Sequence, residues 1–300
     1  MLIQQDGFVE DRSYDHDHVA AVVAAIASQF DMYFAGYLGL SSVRSIPTSV
    51  DDASGAWKRK LAAAIRKFDD DREAYLEIMD IDALEEYESD PSAFHKALSN
   101  DCPIIRKTLH SDEAELKRFK INFRSVDKNE LFIVVWNLAS FAQTYVDDFY
   151  DESTYDNISA YDELEITELD EDDYRLYGAV GGGIRSHLLY KVNPAVFPNR
   201  SKAAIWALYF ISGEQDFGLA SGSEFLKLDQ DMPYGLHNFH YPYELFTFYT
   251  HQIYQMLREK AEQIGVYLDP AYRYVFVDDF LSYISERNEE AIKVCSRKPR

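Results

Sequence analysis

The sequence has few cysteines and no long hydrophobic run, and each of these absences excludes a class of protein. Cys102 and Cys295 are the two cysteines in 300 residues, too few for a disulfide framework and without the spacing of metal ligands. The N-terminal residues are acidic where a secretory signal carries basic residues, and no apolar run approaches the length that spans a membrane. We therefore expect a cytoplasmic protein without a membrane segment.

Positive charge is also scarce. The chain has 30 Lys and Arg against 52 Asp and Glu, which gives a formal net charge of −22 at pH 7. Binding to duplex nucleic acid depends on basic side chains that neutralise phosphates, so this balance argues against broad duplex nucleic-acid binding. The sequence also lacks a Gly-x-Ser-x-Gly turn or a Cys/His pairing that would indicate a nucleophile.

Apolar residues recur at three- and four-residue spacing in several stretches, which predicts a mainly helical protein. The clearest stretches are residues 18–40, 57–68, 131–145 and 245–264. The chain is rich in aromatic residues, with 22 Tyr and 19 Phe, so we expect rings to dominate the core.

Three short stretches have an extended pattern instead. Residues 272–277 alternate and are β-branched or aromatic, which favours a strand, and residues 119–123 and 224–228 also have an extended pattern. We therefore predict an α+β fold that is mainly α-helical, with a few short strands and a helical hairpin in its C-terminal half.

The segment 147–173 contains thirteen acidic residues and no Lys or Arg. Repulsion between like charges favours a solvated, mobile loop. We take this acidic segment as the boundary between a helical N-terminal region, residues 1–146, and a C-terminal region, residues 174–300. The segment also suggests an interaction protein that mimics phosphate and binds a basic protein partner, as an inhibitor, immunity or defence component does.

A glycine run at the centre of the C-terminal region predicts the start of a helix. The run lies before an apolar stretch that ends at Asn193-Pro194, and a second helical stretch ends at Gly213. These two stretches form the predicted hairpin. We expect Trp206 and Phe210, in its second helix, to be buried.

The same segment holds a local cluster of basic residues in an acidic chain. Free N–H groups and the helix macrodipole make a helix start suitable for an anion, and basic side chains strengthen the attraction. We therefore predict a site for a phosphate-bearing ligand, such as a nucleotide or a nucleic-acid end, and this is the interpretation we favour. The predicted ligand-binding residues are Gly181, Gly182, Gly183, Arg185, Ser186, Arg200 and Lys202.

Two acidic motifs support a third interpretation. The motifs are VDDFYDE, which begins at Val146, and DDFLSYISE, which begins at Asp278. In spacing and order they resemble the two metal-binding motifs of class I terpenoid synthases. This resemblance implies a diphosphate enzyme whose Mg²⁺ ions are held by Asp147, Asp148, Asp151, Asp278, Ser282 and Glu286. The strand predicted at residues 272–277 departs from the all-helical fold of that family. An enzyme of this kind needs both motifs to converge on one cavity.

Overall fold

The structure is a computed structural model that describes residues 11–39, 50–113, 116–215, 217–218 and 241–295. Helix accounts for 75% of the chain within these ranges, which contain no β-strand. A single antiparallel bridge joins Leu176 and Val180. The fold is therefore all-α, and the predicted α+β class is wrong.

The described ranges contain fourteen α-helices. The first eight are α1 (His16–Tyr37), α2 (Val50–Asp69), α3 (Arg72–Met79), α4 (Ile81–Glu85), α5 (Pro91–Asp101), α6 (Pro103–His110), α7 (Lys117–Ser125) and α8 (Lys128–Thr144). The others are α9 (Glu152–Tyr155), α10 (Gly182–Val192), α11 (Lys202–Ile211), α12 (Tyr243–Gln263), α13 (Arg273–Arg287) and α14 (Glu289–Cys295). A π-helical turn at Tyr145–Phe149 follows α8, and short 3₁₀ helices occupy Tyr161–Leu164, Thr167–Asp170, Asp172–Tyr174 and Pro270–Tyr272.

Helix α13 lies at the centre of the molecule, where it packs against α1, α2, α11 and α12. Its first turns are buried on every side, from Arg273 to Val277. A stretch enclosed in this way shows no polar face, so residues 273–277 lack the 3.6-residue period that identifies most helices. This explains why residues 272–277 were wrongly predicted to form a strand.

The other two predicted strands have different outcomes. Residues 119–123 lie within α7 and are helical, so this prediction is also wrong. Residues 224–228 lie outside the described residues.

The two helices of the predicted hairpin are present, but each packs mainly against other helices. Helix α11 packs along α13 and α1, whereas α10 packs against α3 and α8. The packed hairpin is therefore replaced by two helices with separate partners. Trp206 and Phe210 are buried at 5% and 8% exposure, which confirms that prediction.

The acidic segment 147–173 is folded onto the protein. Its 3₁₀ helices at Tyr161–Leu164 and Thr167–Asp170 pack against α12. Apolar side chains face inward from it, whereas eleven of its thirteen acidic residues are exposed. The buried side chains are Tyr155, Ile158, Tyr161, Leu164, Ile166 and Leu169.

The acidic segment is thus not the solvated loop that its charge predicted. The domain boundary placed there stays a prediction. Buried residues from both sides of the segment belong to one hydrophobic core.

Within the described ranges, α1 is the one helix long and apolar enough to cross a membrane. Its buried side chains include Val22, Ile26 and Phe30, and the helix packs against α11, α12 and α13. A core helix of a folded protein has the same composition, so this helix gives no separate argument about location.

Candidate functional site

The two arginines predicted to bind an anion are buried and have partners. Arg185 is 2% exposed and donates to the backbone carbonyl of Leu169 and, at 2.9 Å, to the carboxylate of Asp170. Arg200 is 3% exposed and donates to the backbone carbonyl of Tyr241. Buried charges need such partners. A direct role of these arginines in ligand binding stays a prediction, while their contacts show that they hold separate segments together.

Gly182, in the glycine run of residues 181–183, leaves room for the side chain of Arg200. A β-carbon at Gly182 would overlap the guanidinium of Arg200, so the close approach requires glycine. Ser186 is fully buried, and its hydroxyl accepts a hydrogen bond from the backbone N–H of Arg200 at 3.0 Å. Gly181 is the N-cap residue of α10. Gly183, in contrast, is exposed and has no close neighbour where a β-carbon would lie.

A cavity of about 630 Å³ lies among α2, α3, α6, α7, α10, α11 and α13. Its volume is in the range of small-molecule sites. Gly183 and Lys202 from the predicted ligand site line this cavity, as do Asp278 and Ser282 from the second acidic motif. The fold therefore brings parts of two predicted sites together. We refer to it as the lysine cavity, after Lys67, Lys107, Lys191 and Lys202 in its lining.

The two acidic motifs do not share this cavity. Asp147 lines a different cavity of about 390 Å³ beside α3 and α8, and Asp148, Asp151 and Glu286 are exposed. No group of three or more His, Cys, Asp or Glu residues in the described ranges is arranged to hold a metal ion. Residues 273–277 are helical in α13, so the strand predicted there no longer distinguishes this chain from class I terpenoid synthases. The metal centre that the resemblance implies is nevertheless not assembled from these residues.

Three of the lysines are exposed around the lysine cavity. Lys67 lies in the last turn of α2, Lys107 lies in α6 and Lys202 begins α11. Lys67 and Lys107 form no hydrogen bond or ion pair with any residue in the described part of the chain. Both ammonium groups are therefore available to a ligand.

The fourth lysine is buried and has a structural role. Lys191 is 4% exposed, and its ammonium donates to the backbone carbonyl of Phe68 at 2.6 Å and to Asp71 at 2.5 Å. The same ammonium lies 4.5 Å from the centroid of the Phe68 ring, within the range of cation–π attraction. Lys191 thus ties α10 to the junction of α2 and α3.

A series of side-chain hydrogen bonds links four residues of the lysine cavity. His187 Nε2 lies 3.2 Å from the Tyr75 hydroxyl, and His187 Nδ1 lies 3.4 Å from Asn199 Oδ1. Asn199 Nδ2 donates to Asp278 Oδ1 at 3.1 Å. With this amide orientation, Asn199 Oδ1 accepts from His187 Nδ1–H, and His187 Nε2 accepts from the Tyr75 hydroxyl. A neutral imidazole protonated at Nδ1 satisfies the whole series.

The electrostatics of the cavity agree with this arrangement. Burial lowers the pKa of His187 to about 4, and the charge of Lys191 adds to the effect. Burial also raises the pKa of Asp278 to about 6, although the hydrogen bond from Asn199 and the charge of Lys67 oppose the shift. At neutral pH His187 is neutral and Asp278 is largely ionised. Perturbed groups that face a cavity are typical of functional sites.

The chain matches no protein-family model, no curated protein and no solved structure. The functional argument therefore depends on the geometry of the lysine cavity. Lys67 and Lys107 belong to no site predicted from the sequence, whereas His187 lies in the helix start where a phosphate was expected. The two lysines come from separate helices, so no local spacing in the sequence relates them, and only the fold, in which α2, α6 and α10 line one cavity, brings them together.

Proposed function

We propose that this chain binds a small phosphate-bearing ligand in the lysine cavity. The observation that carries the proposal is the presence of Lys67 and Lys107, with Lys202, around one cavity of a chain whose net charge is −22. A local positive cluster in a cleft focuses the electrostatic field and concentrates anions there. Lysine ammonium groups are common ligands of phosphate.

The acidic residues of the cavity support the proposal because they already accept hydrogen bonds. Asp71 takes part in the contact with Lys191 described above, and Asp278 accepts from Asn199. Asp279 accepts from the Tyr37 hydroxyl at 2.6 Å. The carboxylates thus have hydrogen-bond donors within the protein, while Lys67 and Lys107 form no hydrogen bond or ion pair with described residues, and the charge of Lys67 acts on Asp278.

The proposal retains the ligand class expected from the sequence and changes the residues that bind it. Gly183 and Lys202 belong to both versions of the site. Arg185 and Arg200 instead act as buried supports, and Arg200 fixes the start of α10 beside the cavity through its contact with Gly182.

The proposal is tested by calorimetric titration with inorganic phosphate and with pyrophosphate. Lys67→Gln and Lys107→Gln each remove one charge-assisted contact, so we expect each to weaken binding about tenfold. Lys58→Gln is the matched control, because Lys58 is exposed on α2 and does not line the cavity. We expect this control to bind like the unchanged protein. Absence of binding by the unchanged protein, or equal weakening by Lys58→Gln, contradicts the proposal.

A basic protein partner for the acidic segment is a second proposal. The eleven exposed carboxylates of residues 147–173 favour it, because they are held on a folded surface rather than on a free loop. The lysine variants separate the two proposals, since they leave this surface unchanged.

A further inference from the structure

One wall of the lysine cavity is apolar. Pro103 and Ile104 of α6 and Phe119 of α7 line it, and all three are partly exposed. Their neighbours Ile105 and Phe123 are fully buried, so the two helices direct one set of apolar residues into the core and another toward the cavity. The wall is therefore apolar surface that borders the cavity, and Ile104 and Phe119 also pack against the core.

The ring of Phe119 is held in place by other rings. It stacks on Phe123 with centroids 5.5 Å apart and an interplanar angle of 29°. Phe123 in turn stacks on His95 at 5.0 Å, and His95 Nε2 lies 2.9 Å from the Phe123 backbone carbonyl. A ring supported in this way loses little conformational entropy when a ligand packs against it.

We propose that the ligand is a phosphate monoester that carries a planar ring, such as an aryl phosphate or a mononucleotide. Its ring packs against Phe119 and Ile104, and its phosphate contacts Lys67 and Lys107. This inference rests on the proposed function and adds the chemical class of the ligand. Small-molecule sites typically combine an apolar lining with a few polar groups that orient the ligand, and this cavity has both.

The size of the cavity and the net charge of the protein favour a phosphate monoester over inorganic phosphate and over a polynucleotide. Inorganic phosphate would leave the apolar wall in contact with water, because it fills a small part of a cavity of about 630 Å³. A polynucleotide would carry further phosphates over the surface of a chain whose net charge is −22, where repulsion opposes them. A single phosphate with one ring system avoids both penalties.

The test compares phenyl phosphate with inorganic phosphate by calorimetric titration. Aromatic contact and burial of the ring are expected to make phenyl phosphate bind about tenfold more tightly to the unchanged protein. Phe119→Ala should remove this preference and leave the affinity for inorganic phosphate unchanged. Lys107→Gln should weaken both ligands. Ile121→Ala is the matched control, because Ile121 is 67% exposed on the same helix and does not line the cavity.

The outcomes separate the inference from the proposed function. If neither phosphate binds, both are overturned. If both bind with equal affinity, or if Phe119→Ala weakens both equally, the inference is overturned and the phosphate site stands. Phe119→Leu keeps the apolar packing but removes the aromatic face, so it replaces Phe119→Ala if circular dichroism shows that the alanine variant is unfolded. Retention of the full preference in Phe119→Leu overturns the role of the ring face.

Discussion

The role of a basic residue in this protein depends on whether its side chain is buried or exposed. Arg273 is fully buried, and it donates to the backbone carbonyl of Ala195 and, at 2.5 Å, to Asp156. Asp156 also accepts from Arg258 at 2.7 Å. Backbone carbonyls in irregular segments need donors, and buried arginines supply them. Lys67 and Lys107, by contrast, are exposed beside the cavity, and we propose that they bind the ligand.

The neighbouring glycines 182 and 183 give a matched test of this residue-scale account. Gly182→Ala should destabilise the protein by about 1–3 kcal/mol, because Arg200 is buried and bonded and cannot move freely to admit a methyl group. Gly183→Ala should be neutral or should stabilise the protein by about 0.5–1 kcal/mol, because alanine is the better residue within a helix. Urea unfolding of the two variants measures both effects.

Equal stability changes in the two variants would contradict this account. A large loss of phosphate affinity in Gly182→Ala with unchanged stability would instead favour the original prediction, in which the glycine amides themselves bind the anion.

At the scale of the helices, the sequence predicts those elements that have one buried and one exposed face. Helix α8 is an example. Its start is also encoded in the local sequence, because Asp127 accepts hydrogen bonds from the backbone N–H groups of Asn129 and Glu130. The first residues of α13, Arg273 to Val277, are not predicted to be helical, because their burial on every side removes the periodic signal. The same limit applies to the acidic segment, where Leu164, Ile166 and Leu169 are separated by carboxylates and their inward direction depends on α12.

The site was less predictable than the helices. The Gly181–Lys202 stretch contributes Gly183 and Lys202 to the lining of the lysine cavity, and their role in binding stays a prediction. Local sequence did not show that Arg185 and Arg200 face inward, because their partners come from residues 169–170 and 241. The apolar wall likewise depends on the fold, which places α6 and α7 around the same cavity as α10.

The contact of α11 with α13 gives a test at this scale. Trp206 and Phe210 stack with centroids 6.2 Å apart on α11 and are both buried. Truncation of either to alanine should lower the free energy of unfolding by about 3–5 kcal/mol, because it leaves a cavity in the core. Ile133→Ala on α8 is the control, since Ile133 is 53% exposed and should cost less than about 1 kcal/mol. A similar small cost for Trp206→Ala and Phe210→Ala in urea unfolding would show that the two side chains are not packed in the core.

For the molecule as a whole, acidic residues outnumber basic ones by 52 to 30. Within the described ranges four Lys or Arg residues are buried, and three of them pair with Asp170, Asp71 and Asp156, while most acidic residues lie at the surface. Such a distribution makes the exposed carboxylates repel one another. We propose that the lysine cavity is the place where this surface attracts an anion.

Salt should therefore stabilise the ligand-free protein and weaken phosphate binding. Screening of repulsion between about 10 and about 150 mM NaCl should raise the melting temperature by roughly 2–4 °C. Exposed ion pairs such as Lys260–Asp31, at 2.8 Å, act in the opposite direction but are few and weak. Differential scanning calorimetry without ligand measures the change.

A variant with less surface charge provides the control. Asp162→Asn, Glu165→Gln and Glu171→Gln together remove three exposed charges from the acidic segment and should reduce the rise in melting temperature. Glu163 is retained, because its carboxylate accepts from the backbone N–H of Ser159 at 2.7 Å and holds the segment. A melting temperature that falls with salt in the unchanged protein would show that attraction between surface ion pairs outweighs repulsion. The exposed carboxylates would then be part of a balanced network, and the lysine cavity would lose the electrostatic contrast on which anion binding depends.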